Sequence, residues 1–130
     1  MKSIDNLQIE AESMLVYIQQ EVPSDAGAVS ERLSRLCRLM ARSGVMLAEA
    51  KSYLNEQRGK ATEEVLEKLL GDVHIAKSVQ SSLIDSACRE RQMLVDKIER
   101  LNASITHQSE NLRSLLAYYR EELSLTRKGY

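Results

Sequence analysis

The sequence has few of the residues that all-β folds use in their cores and turns. It has no tryptophan and no phenylalanine, one proline, five glycines and two cysteines in 130 residues. So few turn-forming residues exclude a fold of many short strands. A core of leucine, isoleucine, valine, methionine and alanine favours helix packing over a sandwich or barrel. The absences predict an all-α protein that forms a single domain over residues 1–130.

Net charge and hydrophobicity argue against two classes of protein, nucleic-acid-binding proteins and membrane proteins. The net charge is −1, whereas dedicated nucleic-acid-binding domains carry a basic excess. No apolar run approaches the length of a membrane span, and the first residues lack the apolar core of a signal peptide. We therefore expect a cytoplasmic protein without membrane contact. Cys37 and Cys88 lie within apolar helical patterns, which predicts buried, unreactive thiols.

Apolar spacing predicts four helices, at 3–21, 25–58, 62–70 and 75–125. Ser3 is expected to cap the first helix and Ser24 the second. In the second helix, spacings of four and three run from Val29 to Leu54 and form a heptad seam. The last helix carries the same alternation from residue 87 to 119. We expect a long antiparallel, coiled-coil-like hairpin with an N-terminal helix laid along it.

Glycines and small residues add further expectations about the second helix. Gly59 is expected to break or bend the helix, with Thr62 capping a short helix at the turn and Gly71 ending it in a left-handed conformation. A stripe of small residues predicts the close approach of another backbone. These residues are Cys37, Ala41, Gly44 and Ala48. The combined apolar arc is wider than one partner helix covers, which predicts a homo-oligomer.

The usual catalytic and metal-binding motifs are missing. The sequence contains no phosphate-binding glycine loop, dinucleotide fingerprint, HExxH or CxxC. Ferritin-like sites need Glu-x-x-His pairs, and the positions three before His74 and His107 hold glycine and serine. We therefore predict a protein that is not an enzyme and that uses neither metal nor cofactor.

Two polar features are candidates for binding. Four arginines are predicted to share the helical face opposite the leucine seam, where they would attract phosphates or acidic side chains. They are Arg32, Arg35, Arg38 and Arg42. The alternative is a solvated face whose arginines pair with acids of a neighbouring helix. The candidate acids are Glu63, Glu64 and Glu67.

The second feature is a polar interruption of the last seam. Arg91 and Gln108 occupy apolar seam positions, where a polar residue can fix register and oligomer state. On this interpretation Gln108→Leu raises stability or changes stoichiometry. A neighbouring polar stripe is predicted either to line a ligand pocket or to form an ordinary wet seam. It comprises Asn102, Thr106, Ser109 and Arg113. Tyr118 points away from the seam and is either a surface aromatic or a stacking platform.

Two stretches carry a family resemblance. "AKSYLNEQ" at residues 50–57 and "ERLNASITHQSENLRSLLAYYREEL" at 99–123 resemble uncharacterised small helical proteins of bacterial prophages and mobile elements. The resemblance implies a bacterial or phage setting and action by binding. We expect a non-enzymatic adaptor that oligomerises and recognises a protein partner. The alternatives are a binder or sponge of a nucleotide-like ligand, and an accessory protein of DNA recombination or replication.

Overall fold

The computed structural model describes residues 1–22, 24–71 and 73–129 and contains three helices. Helix α1 spans Ile4–Ile18, α2 spans Ala26–Leu70, and α3 spans Lys77–Arg127. At 1.5 Å per residue, α2 and α3 are about 68 and 76 Å long. No strand occurs in these three stretches. The predicted all-α class is confirmed, and the two long helices pack together as expected.

Local side chains explain where the helices begin and end. Ser3 caps α1 as predicted, since its hydroxyl accepts a hydrogen bond from the Asn6 amide at 3.2 Å. Helix α2 is capped by Asp25 rather than by the predicted Ser24, because the carboxylate accepts from the Ala28 amide at 2.9 Å. Gly71 ends α2 with φ −86°, so the predicted left-handed stop is wrong.

Hydrogen bonds between the long helices show that they form an antiparallel hairpin. Asn102 on α3 contacts Ser43 on α2, whereas Arg91, earlier on α3, contacts the carbonyl of Tyr53, later on α2. The Tyr119 hydroxyl donates to the Ser24 carbonyl at 2.7 Å. The predicted hairpin is therefore present, and its register places residues that sum to about 144 opposite each other.

Helix α1 lies along the middle of this hairpin. Its Glu10 binds Arg42 of α2, and its Glu12 binds Lys97 of α3. These pairs make α1 antiparallel to α2 and parallel to α3. Tyr53 on α2 and Arg91 on α3 lie beside the first residues of α1. Between these two residues and the turn of the hairpin, only α2 and α3 are present. We call this part, residues 54–70 and 77–90, the distal section.

One apolar cluster joins the three helices. Its members sit at seam positions because residues three and four apart share a helix face. The most completely buried large side chains include Leu7, Leu36, Met46, Ile98 and Ile105. The cluster is densest where α1 covers the hairpin, so the three-helix part carries most of the core.

The predicted break at residues 59–62 is wrong, and so is the separate short helix at 62–70. Helix α2 runs without interruption through Gly59. Thr62 does not cap a new helix, because its hydroxyl donates to the Arg58 carbonyl at 2.7 Å inside the same helix. The cost of one exposed glycine is about 1 kcal/mol. Burial of Ala61 and Val65 against α3 outweighs it.

Gly59→Ala is expected to raise the free energy of unfolding by about 0.5–1 kcal/mol. A side-chain carbon at residue 59 meets nothing within 4 Å, and alanine restricts the unfolded chain more than glycine does. Urea unfolding followed by circular dichroism measures the difference. The reverse change at exposed Ala48, Ala48→Gly, should lower stability by a similar amount. A destabilising Gly59→Ala would contradict a continuous α2.

The small-residue stripe on α2 also differs from its prediction. Cys37, Ala41, Gly44 and Ala48 are all exposed, and a side-chain carbon added at Gly44 would meet nothing within 4 Å in the described part of the chain. Cys37 is therefore an exposed thiol, contrary to expectation, whereas Cys88 is 1% exposed as predicted. The stripe lies about a quarter-turn from the seam, on the side of α2 that α1 does not cover.

None of the three described helices combines the length and the apolar character that a bilayer-spanning helix needs.

Candidate functional site

Arg32 is a buried cation at the end of α1. Only 6% of the residue is exposed, so the prediction that it belongs to an outward arginine face is wrong. Its Nη1 donates to the Glu21 carbonyl at 3.0 Å and its Nη2 to the Ile18 carbonyl at 3.1 Å. The side chain also lies over the Tyr17 ring, 5.3 Å from its centroid. Arg32 therefore binds the C-terminal carbonyls of α1.

Gln108 completes this arrangement from α3. Its Oε1 accepts from Arg32 Nε at 2.9 Å, and its Nε2 donates to the Ile18 carbonyl at 2.9 Å. Helix α1 has no basic residue in its own last turn. A cation from α2 and an amide from α3 thus satisfy carbonyls that a helix end leaves unpaired, and the cation complements the helix dipole. We call this group the Arg32–Gln108 clamp.

The clamp explains the polar residue in the α3 seam. Gln108 fixes α1 against both long helices within one chain, because its amide contacts Arg32 and Ile18 together. The predicted role of Gln108 in fixing helix register is therefore supported by contacts within a single chain. A role in oligomer choice stays a prediction. Arg91, the other polar seam residue, donates to the Tyr53 carbonyl at 2.7 Å and stacks over that tyrosine ring.

The remaining three arginines separate. Arg42 forms a paired contact with Glu10 at 2.7 and 2.8 Å. Arg35 lies 5.9 Å from the centroid of the Tyr17 ring, and Arg38 is exposed. The four arginines neither converge on one cavity nor form a common outward stripe, so the predicted single face is wrong.

The acids that lie near these arginines are also not the predicted ones. Glu10 of α1 and Glu49 of α2 lie near Arg42, at 2.7 and 3.8 Å. The predicted acids Glu63, Glu64 and Glu67 are exposed on the distal section, more than 20 residues along the same helix. The sequence pattern missed Glu10 because nothing in it specifies that α1 packs on this side of α2.

Glu10 makes the attachment of α1 sensitive to acid. The hydrogen bond from Arg42 lowers the pKa of Glu10, with a smaller contribution from Lys2 that partial burial opposes. A lowered folded-state pKa stabilises the fold above the unfolded value of about 4.3. That stability is lost as pH falls through the lowered pKa.

We therefore expect Glu10→Gln to lose at most about 1 kcal/mol at pH 7, as a partly exposed ion pair allows. Near pH 3 the variant should approach the wild type, since protonation has already weakened the wild-type pair. Urea unfolding at both pH values measures this difference. Exposed Glu31, changed to Gln, is the control and should show no such pH-dependent gap. An equal gap at both pH values would rule out the ionised pair.

The polar stripe on α3 mostly makes structural contacts. Asn102 Nδ2 donates to Ser43 Oγ at 2.7 Å, and fully buried Ser43 donates onward to the Met40 carbonyl at 3.0 Å. Thr106 donates to the Asn102 carbonyl one turn earlier. The bond between Asn102 and Ser43 joins α2 to α3 inside the hairpin, and the other two bonds lie within one helix. They favour the interpretation of the stripe as part of the seam over that of a ligand pocket.

The last members of the predicted site lie apart from one another. Ser109 is 1% exposed and its hydroxyl has no hydrogen-bond partner in the described part of the chain. Arg113 is exposed. Tyr118 is 56% exposed, and its hydroxyl donates to Glu122 one turn later at 2.9 Å, which raises the pKa of the tyrosine. Tyr118 is therefore a surface aromatic held by its own helix.

Several grooves lie on the described surface. One of them runs between the start of α1 and α3 and is open to solvent. Asp5, Glu90, Arg91 and Lys97 line it together with apolar side chains, so its charges have mixed signs. Across residues 1–22, 24–71 and 73–129, no three histidine, cysteine or acidic side chains are placed to hold a metal ion.

Comparisons with known proteins add no relative to this picture. Neither family models, nor curated proteins, nor solved structures gave a match to the chain.

Proposed function

We propose that this protein is a non-enzymatic helical adaptor that self-associates and recognises a protein partner through its distal section. The observation that carries the proposal is the exposure of apolar side chains where α1 no longer covers the hairpin. Leu66 is 52% exposed, Leu70 85%, Val79 48% and Leu83 42%. Val79 and Leu83 are neighbours one turn apart on α3, and neighbouring exposed apolar groups are typical of interaction sites.

These side chains form two strips on opposite sides of the distal section. Arg42 and Lys97, which bind α1, each come one residue before a buried seam residue. In antiparallel helices, positions just before the seam residue on both helices face the same side. Leu83 precedes half-buried Ile84 and lies on the α1 side, whereas Leu66 follows buried Val65 and lies on the other side.

The strip on the α1 side suits an amphipathic helix from the partner. Val79 and Leu83 extend the side of the hairpin that α1 occupies further along. A helix docked there would continue the three-helix packing beyond the first residues of α1. Binding of an apolar helix face in a groove between helices is a recurrent mode of recognition. We therefore infer a partner that presents an amphipathic helix.

The contacts of the arginines argue against the two alternative functions, which are ligand binding and DNA binding. A nucleotide-like ligand or a DNA backbone would need several free arginines on one surface, but the carbonyls of α1 engage Arg32 and Glu10 engages Arg42. A cytoplasmic location and a phage or mobile-element origin remain part of the proposal, and both rest on the sequence pattern alone.

A photo-crosslinking residue at position 83, compared with one at exposed position 9 on α1, tests partner recognition. We expect position 83 to crosslink selectively to an amphipathic helical segment of another protein. The purified pair should bind, and Val79→Glu should weaken binding at least about tenfold. Ile9→Glu is the matched control and should bind normally. The proposal fails if no crosslink is selective for position 83, or if Val79→Glu binds as well as the wild type.

A further inference from the structure

The side of α2 that faces away from α1 carries an exposed strip from one end of the helix to the other. We call it the outer strip, and its spacing of three and four keeps it on one helical face. Its members are Cys37, Ala41, Gly44, Ala48, Gly59, Thr62, Leu66 and Leu70, all exposed. The two leucines lie at its C-terminal end, and the smallest side chains lie in its N-terminal half.

The exposed charges beside the outer strip include a cation in its N-terminal half and two acids in its C-terminal half. Arg38 is exposed in the N-terminal half, whereas Glu63 and Glu67 are exposed in the C-terminal half. Arg38 and Glu67 are 29 residues apart on one continuous helix, or about 44 Å. They therefore cannot meet within one chain. Among the ion pairs of the described residues, neither side chain has a partner.

We propose that a second copy of this chain docks its α2 antiparallel on the outer strip, about a two-fold axis near Ser52 and Asn55. This register places Leu66 over Ala41 of the second copy and Arg38 beside Glu67 of the second copy. A two-fold interface uses the same surface on both subunits, so every such contact occurs twice. Large side chains at one end of the strip then fill the space above small ones at the other.

A second copy is the occupant because the strip complements itself. Both its charges and its side-chain sizes change from one end to the other, and only an antiparallel copy matches both changes together. The parallel alternative would set small side chains against small ones and leucines against leucines, which leaves the N-terminal half of the strip loosely packed. It would also place the two copies of Arg38 on opposite sides of the interface, away from Glu67. This inference rests on the self-association part of the proposed function and supplies its geometry. It leaves Val79 and Leu83 free for the other partner.

Solution mass and one apolar substitution test the face. Light scattering of the wild type should give twice the 14.7 kDa chain mass. Leu66→Glu should raise the dimer dissociation constant at least about tenfold. Leu83→Glu is the matched control, a similarly exposed leucine on the α1 side, and should remain dimeric. Circular dichroism verifies that both variants keep their helices. A dimer unaffected by Leu66→Glu would overturn the assigned face while leaving self-association intact.

Charge reversal tests the register. Arg38→Glu and Glu67→Arg should each weaken the dimer, because each sets two like charges together. The double variant restores opposite charges in both copies of the contact and should recover most of the lost affinity. No recovery would overturn the pairing of these two residues. Salt should weaken the wild-type dimer less than a tenfold change, since apolar contacts persist.

Cysteine crosslinking tests the antiparallel direction. Cys37 is exposed and Cys88 is buried, so Leu70→Cys adds a second accessible thiol. Positions 37 and 70 are about 50 Å apart along one helix and cannot be joined within one chain. Mild oxidation should yield a dimer linked between positions 37 and 70, identified by peptide mapping. A link between two copies of Cys37, or a monomer at every protein concentration, would overturn the proposal. A monomer that still crosslinks its partner from position 83 would leave partner recognition standing.

Discussion

Arg32→Met is expected to lower the free energy of unfolding by about 2–4 kcal/mol. The substitution keeps much of the side-chain volume but removes hydrogen bonds to the Ile18 and Glu21 carbonyls and to Gln108. The Glu21 carbonyl and Gln108 Oε1 lose their donor, and a buried acceptor left without a donor costs about 1–3 kcal/mol. The end of α1 also loses the cation that complements its dipole. Urea unfolding followed by circular dichroism measures the loss.

Two control variants separate the clamp from a general effect of arginine. Arg120→Met removes an exposed arginine from α3 and should change stability by no more than about 0.5 kcal/mol. Arg32→Lys retains the charge but cannot form the same fork of hydrogen bonds, so its loss should be intermediate. Equal effects of Arg32→Met and Arg120→Met would show that the buried contacts contribute little.

Gln108 extends the same experiment. The seam pattern alone led us to expect that Gln108→Leu stabilises the protein or changes its stoichiometry. The contacts of the amide with Arg32 and Ile18 reverse the expected sign, because leucine removes the acceptor of Arg32 Nε and one of the two donors to the Ile18 carbonyl. In a double-mutant cycle, Arg32→Met and Gln108→Leu should be non-additive, as expected for residues of one network.

The sequence pattern predicted the hairpin because burial on one helix face leaves a regular spacing of apolar residues. The seam from Val29 to Leu54 pairs with that of α3 in the predicted antiparallel sense. The pattern failed at Gly59, where a local preference for breaking the helix competes with packing on either side. Helix ends are poorly predicted from the local sequence, because packing against a helix distant in sequence determines where they lie.

The candidate site was predicted only as separate residues. Arg32 and Gln108 were both singled out, one as part of a charged face and one as a seam residue. Their contact depends on where α1 ends in space, and helical spacing within α2 or α3 contains no such information. One sequence signal does point to the clamp: the last turn of α1 has no basic residue of its own. A donor from another helix is then needed if that end is buried.

Ile98→Ala is expected to lower the free energy of unfolding by about 2–5 kcal/mol, the usual cost of removing a large aliphatic side chain from a core. Ile98 is fully buried in the cluster that joins all three helices. Met93→Ala, at a 64% exposed position on the same helix, should cost no more than about 0.5 kcal/mol. Chemical denaturation of both variants measures the contrast.

The Ile98→Ala variant also tests which part of the hairpin carries the stability. Ile98 belongs to the part of the hairpin that α1 covers, whereas the distal section has only two helices and exposes its leucines. If the three-helix part carries the stability, Ile98→Ala should speed amide hydrogen exchange throughout the protected core. At protein concentrations below the dissociation constant of the dimer, exchange in the distal section should already be fast and change little. Above that concentration, pairing along the outer strip should slow distal exchange, and distal exchange that stays fast at every concentration would contradict the pairing.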